Sequence, residues 1–234
     1  MQPTKIAIIP ARGGSKRIPR KNIRNFCGKP MIAWSIETAQ ASGCFDEIIV
    51  STDDEEIAAT ARQWGAKTPF MRPAELSDDY TGTVPVIAHA ITWHQQHREP
   101  LSLACCLYAT APMLLPSDLQ RGLELLIQSG ANYALSVTSY AFPIQRSLYL
   151  NNANRLEMFH PEQRNSRSQD LIPAYHDAGQ FYWGEVTAWL AGTPLLSNAA
   201  APVIMPRHRV QDIDTLEDWE RAEWMFKALR SEES

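Results

Sequence analysis

The feature that most constrains this chain is an alternation of two periods. Short apolar, β-branched runs at 5–10, 47–52, 67–71, 102–108 and 133–138 read as strands. Between and after them, 30–42, 53–64, 84–97, 116–129 and the stretch from Thr215 onward carry apolar residues at helical spacing. Strands alternating with helices predict an α/β fold, a mostly parallel sheet with helices on both faces. The run 102–108 is the most apolar and is expected to be central. Local punctuation agrees. Pro30 suits a first helical turn, and Gly43, Gly65 and Gly130 suit helix ends. Asp53-Asp54-Glu55-Glu56 places acids where a helix dipole favours them. Thr215 and Asp218 have capping-box spacing. The last helix is expected to bury Leu216, Trp219, Leu229 and either Met225 or Ala222, and the helix at 116–129 to bury Leu119, Leu123, Leu126 and Ile127.

A chain of 234 residues, 44% hydrophobic, can bury one large core without disulfides, so residues 1–234 are expected to form a single domain. Only 139–168 breaks the rhythm. Rich in Asn, Arg, Pro and aromatic residues, it reads as an insertion: a β-arm used for dimerisation, or an ordinary long surface loop. The net charge of -4 argues against a general nucleic-acid binder. No run approaches the ~20 apolar residues that span a bilayer, and 6–10 is too short for a signal-peptide core. The four cysteines, Cys27, Cys44, Cys105 and Cys106, form no C-x-x-C pair, which fits reduced thiols and a cytoplasmic location.

Against that acidic balance, residues 12–29 hold seven basic side chains and no acid: Arg12, Lys16, Arg17, Arg20, Lys21, Arg24 and Lys29. The cluster follows the first strand, where sheets of this kind bind ligands. Gly13 and Gly14 allow a tight turn close to an anion, and successive backbone N–H groups there can form an anion nest. Arg12 can fork onto phosphate oxygens while Lys16 or Lys21 supplies a mobile charge. A triphosphate is the expected ligand; the bland alternative is a solvated basic loop. Neither the G-x-G-x-x-G nor the G-x-x-x-x-G-K-[ST] motif is present, so common dinucleotide and P-loop sites are not supported.

Two further clusters carry chemistry. Asp212 and Asp214 flank Ile213, and in an extended segment both carboxylates point one way. Mg²⁺ takes one or two carboxylates and completes its shell with phosphate and water, so the pair is expected to hold Mg²⁺, with helix capping as the alternative. The pair Asp53-Asp54 is the rival, placed for capping. The segment Ala174-Tyr-His-Asp-Ala-Gly-Gln-Phe-Tyr-Trp-Gly184 combines aromatic faces with His176, Asp177, Gln180 and Tyr182, a set suited to hydroxyls, amides and sugar C–H faces. A core strand with aromatic filling is the alternative.

The run Ile8-Ile9-Pro10-Ala11-Arg12-Gly13-Gly14-Ser15-Lys16-Arg17-Ile18-Pro19-Arg20-Lys21-Asn22 resembles the signature of the acylneuraminate cytidylyltransferase family, whose members make CMP-sialic acid, CMP-pseudaminic acid and related donors. Phe45 to Asp53, Gly65-Ala66, Arg72 to Leu76 with Asp79, and Asp212 to Thr215 are similar to family blocks in the same order. The resemblance implies a Rossmann-like nucleotidyltransferase fold, CTP and Mg²⁺, and a homodimer. It implies that Arg12, Lys16 and Lys21 hold the triphosphate beside Ala11, Gly13 and Gly14. Asn22 and Arg72 would sit at the cytidine, and Thr81 and Thr83 would line the nucleotide site. The segment around His176 and Asp177, and Tyr108-Ala-Thr-Ala-Pro112, are similar to the pseudaminic acid branch and depart from sialic acid enzymes. Tyr108, His176, Asp177, Gln180 and Tyr182 are thus expected at the sugar. Arg167 is the candidate for its carboxylate by fork geometry, with Arg164 as competitor. The expected reaction is attack of the anomeric hydroxyl of a nonulosonic acid on the α-phosphorus of CTP, Arg12 and Lys21 stabilising charge as pyrophosphate leaves. An eight-carbon acid as acceptor, and a nucleotide sensor without turnover, are the competing readings.

Overall fold

A computed structural model of the chain describes residues 4–98 and 100–231. In chain order its elements are β1 (Thr4–Pro10), β2 (Asn25–Phe26), β3 (Lys29–Pro30), α1 (Met31–Ser42), β4 (Glu47–Ser51), α2 (Glu55–Gln63), α3 (Thr83–His97), β5 (Leu101–Leu107), α4 (Pro116–Ser129), β6 (Tyr133–Ser139), β7 (Leu148–Leu150), β8 (Leu156–Met158), β9 (Tyr175–Glu185), α5 (Val186–Ala191), β10 (Ala200–Met205) and α6 (Leu216–Ser231). Six strands form one sheet in the order β10-β6-β9-β5-β1-β4. β4 and β5 flank β1 in parallel, β10 runs parallel to β6, and β9 is antiparallel to both its neighbours. The expectation of a mostly parallel α/β sheet with β5 inside it is met.

Alternation along β1 sorts the core. Ala7 and Ile9 face one layer with Ile32, Ile36, Leu119, Phe181 and Trp183. Ile6 and Ile8 face the other with Ile87, Ile91, Tyr182 and Trp189. Helices therefore cover both faces, as a sheet with no wet side requires. A third cluster positions the chemistry: Ile18, Phe26, Met31, Met113 and Ile213 pack under Trp219, Ala222 and Phe226 of α6. Ile18 is in the middle of the basic loop and Ile213 between the paired aspartates, so one apolar knot pins both polar segments. Each isoleucine is at most 1% exposed, and burying such a side chain contributes roughly 1.5–3 kcal/mol.

The helix signals are where the sequence placed them. Gly43 and Gly130 each take φ 64° in the left-handed region. Asp218 Oδ2 accepts from the Thr215 backbone N–H at 2.8 Å while the Asp218 N–H donates to Thr215 Oγ1 at 3.2 Å, a reciprocal capping box.

Three expectations are corrected. Residues 67–71 form no strand; Lys67 makes one bridge to Ile49, and Pro69 has no N–H to continue a ladder. The stripe of α6 is Trp219, Ala222 and Phe226, while Leu216 is 52% exposed on the first turn. Ile127 of α4 faces solvent, and Gly122 takes the inward position because a Cβ there would lie 2.6 Å from the Phe181 ring. The segment from Tyr175 is a long interior strand, β9, whose continuous apolar half hides any period. α5 and β10 carried too little pattern to be expected. The region 139–168 does contain a two-stranded hairpin, β7–β8, and no residue from 140 to 174 is buried.

Candidate active site

At the carboxyl ends of β1 and β5 lies a cavity of about 520 Å³. Arg12, Lys16, Lys21, Asn22, Arg72, Thr81, Thr83, Tyr108 and Asp214, all singled out in the sequence, line it. So do Arg17 of the basic run, Asp79, and Asp78, which the sequence had not singled out. The cavity owes its shape to the loop after β1. Ala11 is held by its N–H on Ser51 O at 2.9 Å, and the Gly13 N–H donates to Asp53 Oδ1 at 2.9 Å. A Cβ at Gly13 would stand 2.7 Å from Asp54 Oδ2, which explains glycine there; at Gly14 it would meet nothing within 4 Å. Arg20 takes φ 57°, a costly conformation for a residue with a Cβ. Its guanidinium is clamped on both oxygens of Asp54 and on Glu56. Asp54 also caps α2 through the Glu56 and Ile57 N–H groups at 3.0 and 2.9 Å. The pair Asp53-Asp54 is thus occupied in holding the loop, as its position at a helix start implied.

Each cation in the cavity has a carboxylate standing where an anionic ligand would bind. Arg12 Nη1 lies 2.7 Å from Asp79 Oδ1, and Lys16 holds the other oxygen. The Lys16 ammonium, then the Arg12 guanidinium, keep Asp79 below the usual carboxylate range. Lys21 Nζ donates to Ile213 O at 2.6 Å and lies 3.4 Å from Asp214 Oδ1, while Arg17 reaches Asp214 Oδ2 at 2.8 Å. Arg72 is the exception. It is 6% exposed, and its Nε donates to Ser77 Oγ at 3.1 Å. Nη2 stands 3.6 Å from Asp53, beyond hydrogen-bond reach, with no other partner among the described residues. Arg72 thus lines the cavity with one buried guanidinium nitrogen that has no hydrogen-bond partner. Asn22 donates to Arg12 O at 3.0 Å, and Thr81 Oγ1 to Glu75 O at 3.3 Å.

The acidic pair suits a hard cation. Its donors are carboxylate oxygens, and Asp212 is pushed up first by desolvation and then by the charge of Asp214, a repulsion that a cation relieves. No cluster of three or more His, Cys, Asp or Glu that could hold a metal occurs among the described residues.

A second cavity of about 360 Å³ adjoins the first and shares Gly82, Thr83 and Tyr108 with it. Asp177, Tyr182, Val84, Pro85, Leu195 and Leu196 complete its wall. Three of the residues expected at the sugar, Tyr108, Asp177 and Tyr182, meet here. His176 lines neither cavity; its ring stands edge-on to Tyr140 at 4.8 Å. Gln180 lines neither cavity; it is 4% exposed and donates to Arg209 O at 2.6 Å, tying β9 to the segment that leads to Asp212. Arg167 also lines neither; it forks onto Asp170 at 2.7 and 3.0 Å in the exposed insertion. The sequence signal for Leu195 and Leu196 was nil, since two apolar residues in a loop have no period.

A cation-walled cavity at the strand ends of an α/β sheet, next to a smaller pocket with an acid and two phenols, defines the class: a nucleotidyltransferase. The chain belongs to the cytidylyltransferase family, whose model matches residues 6–199. It is 48% identical over 222 residues to the pseudaminic acid cytidylyltransferase of Campylobacter jejuni subsp. jejuni serotype O:23/36 (strain 81-176), covering 95% of this chain and 96% of that protein. It is 34% identical to N-acylneuraminate cytidylyltransferase B of Danio rerio over 93% of this chain and 50% of the relative. In fold it resembles a CMP:2-keto-3-deoxy-manno-octonic acid synthetase complexed with CTP, at TM-score 0.68 and 18% identity, over 99% of this chain and 100% of that one.

Proposed function

We propose that this chain transfers CMP from CTP to the anomeric hydroxyl of a nonulosonic acid, pseudaminic acid in the first place, releasing pyrophosphate. The observation that carries this reading is the junction of the two cavities: a cationic one sized for a nucleotide opens onto one with polar and apolar walls for the acceptor. The near full-length similarity to a pseudaminic acid enzyme supports the choice of acid.

Arg12, Lys16 and Lys21 hold the triphosphate, exchanging Asp79 and Asp214 for phosphate oxygens, with Gly13 and Gly14 giving the backbone its close approach. Arg72 and Asn22 take the cytosine and its ribose, and Thr81 and Thr83 line the seat. Asp214 and Asp212 would hold Mg²⁺, which when bound would supply charge neutralisation on the phosphates. Tyr108, Asp177, Tyr182 and His176 meet the sugar. Catalysis is then positioning plus charge stabilisation, Lys21 and Arg12 acting on the α-phosphate and the leaving group. The exposed apolar side chains of the insertion, among them Phe142, Leu150, Leu156 and Phe159, are the face of a homodimer. In such a dimer Arg167, which lines neither cavity of its own subunit, is our candidate to serve the partner's. No described helix is long and apolar enough to cross a membrane. Cys44, Cys105 and Cys106 are buried and unpaired, and we assign the enzyme to the cytoplasm.

The test is pyrophosphate release from CTP and Mg²⁺ with pseudaminic acid, N-acetylneuraminic acid and the eight-carbon acid in parallel. Pseudaminic acid is expected to give the highest kcat/KM. CTP binding without turnover on any acid would point to a sensor.

A further inference from the structure

Asp212 and Asp214 lie in a stretch with no regular structure. Between the short turn Arg207–Arg209 and α6, the backbone from 210 to 214 forms neither helix nor strand. Side chains from elsewhere therefore fix where the two carboxylates stand. After the pair, Asp218 accepts from the Asp214 N–H at 3.2 Å and from Gln211 Nε2 at 3.2 Å. Between the two acids, Ile213 is pinned under α6. Before them, Gln180 Nε2 donates to Arg209 O at 2.6 Å, while Asp118 takes the Arg209 guanidinium.

Gln180 reaches that carbonyl where β9 is irregular. Pairing with β6 runs from Leu135–Tyr182 and resumes at Val137–Asp177, so β9 holds extra residues there, a bulge. Within it Gly179 takes φ 59°, a left-handed conformation that favours glycine. The N–H groups of Gln180 and Phe181 both donate to Ser136 Oγ, at 3.3 and 3.0 Å, and Ser136 is fully buried. A bulge sealed in this way is a built feature, and beside an active site bulges re-aim a side chain. The Gln180 carbonyl meanwhile accepts from the N–H of Tyr108, a residue that lines both cavities, at 2.9 Å. One residue thus ties the junction of the cavities to the arm that bears the acids. Its cost points the same way. Gln180 is 4% exposed, and its Oε1 has no hydrogen-bond partner among the described residues. A buried amide with an unmet acceptor lowers stability where an apolar side chain would not. What the amide contributes is position.

We infer that Gln180 is a positioning residue for the metal pair: aimed by the bulge, it holds Arg209, and through that residue sets where Asp212 and Asp214 stand against the nucleotide cavity. The inference rests on the function proposed above. Mg²⁺ demands near-ideal octahedral geometry, so a small displacement of this arm is read as lost metal affinity. Arg12, Lys16 and Lys21 belong to the loop after β1 and keep their places.

The test is calorimetric CTP binding by wild type and Gln180→Leu, without metal and with Mn²⁺ in place of Mg²⁺, the acid omitted so that nothing turns over. Leucine fills similar space and removes the bond. Metal-free CTP affinity is expected to be unchanged. The gain in affinity that Mn²⁺ brings is expected to fall roughly 10-fold, the low end for losing a partner that orients a metal's ligands. In pyrophosphate release, the Mg²⁺ needed for half the maximal rate is expected to rise by the same factor, with kcat recovered at high Mg²⁺. A Mn²⁺ gain equal to that of wild type, whatever the change in melting temperature, overturns the inference and leaves Gln180 a core residue. Should Gln180→Leu fail to fold, Gly179→Ala gives the same readout. A Cβ there meets nothing within 4 Å, so that change strains only the left-handed backbone of the bulge. In Asp214→Asn the gain is expected to vanish; its persistence places the metal elsewhere and also sinks the inference. Wild type that gains from Mn²⁺ but releases pyrophosphate with no acid sinks the proposed function, and the Mn²⁺ comparison still decides the role of Gln180.

Discussion

Arg12 and Lys21 line the same cavity, one paired with Asp79 and the other with Asp214. Charge-stabilising donors of this kind are worth most where charge develops in the transition state. Arg12→Ala and Lys21→Ala are each expected to lower kcat on the order of 10²-fold or more in the pyrophosphate assay. Asp79 works the other way, competing with the phosphates for Arg12 and Lys16. An exposed pair of this type is weak, so Asp79→Asn is expected to tighten CTP binding only a few-fold, read by calorimetry without Mg²⁺. Chelation of the metal is expected to abolish turnover while leaving CTP binding measurable, since three cations remain to hold the phosphates.

The elements that carry the site are secured by acids with more than one task. Asp54 caps α2 and clamps Arg20, whose hydrogen bond is the main reason the carboxyl stays below its ordinary range. A carboxyl depressed in the folded state stabilises the fold above the ordinary carboxylate range, and that contribution is lost as pH falls through the depressed value. The stability difference between wild type and Asp54→Asn is therefore expected to be large at pH 7 and to vanish in strong acid, followed by thermal unfolding across pH. Asp118 is the counterpart at α4. Asp118, 2% exposed, accepts from the Leu115 N–H at 3.1 Å and takes both arms of the Arg209 guanidinium, in the turn before Asp212. Asp118→Ala strands a largely buried guanidinium and is expected to cost about 3–5 kcal/mol, measured by denaturant unfolding.

For the whole molecule, the open question of the insertion turns on association. A hairpin with Leu150 and Leu156 at 62% and 68% exposure is poorly suited to solvent, and the core behind it is complete without it. Replacing both leucines with charged residues is expected to convert a dimer to a monomer in light scattering while leaving CTP binding intact. If Arg167 serves the partner's site, the same variant loses affinity for the sugar.

Much of this was legible in the chain itself. The alternation of periods, Gly43, Gly130 and the Thr215–Asp218 box marked most helices and strands, because a helix or parallel strand writes its environment into its own residues. The basic run at 12–29 marked one place in the fold: Arg12, Lys16, Arg17 and Lys21 line the larger cavity, while Arg20 is taken by Asp54 and Glu56 and Lys29 by Glu37. Tertiary structure decided the rest. β9 reads as a sugar segment until its neighbours turn half of it into core, since burial on both faces erases the period that identifies a strand. Asp79 and Asp214 became counter-ions to specific cations, Ile18 and Ile213 became pins under α6, and Tyr108, Tyr182 and Asp177 became one line of hydrogen bonds. Most of these partners lie tens to nearly two hundred positions apart, and local pattern carries no record of which distant partner a side chain will meet.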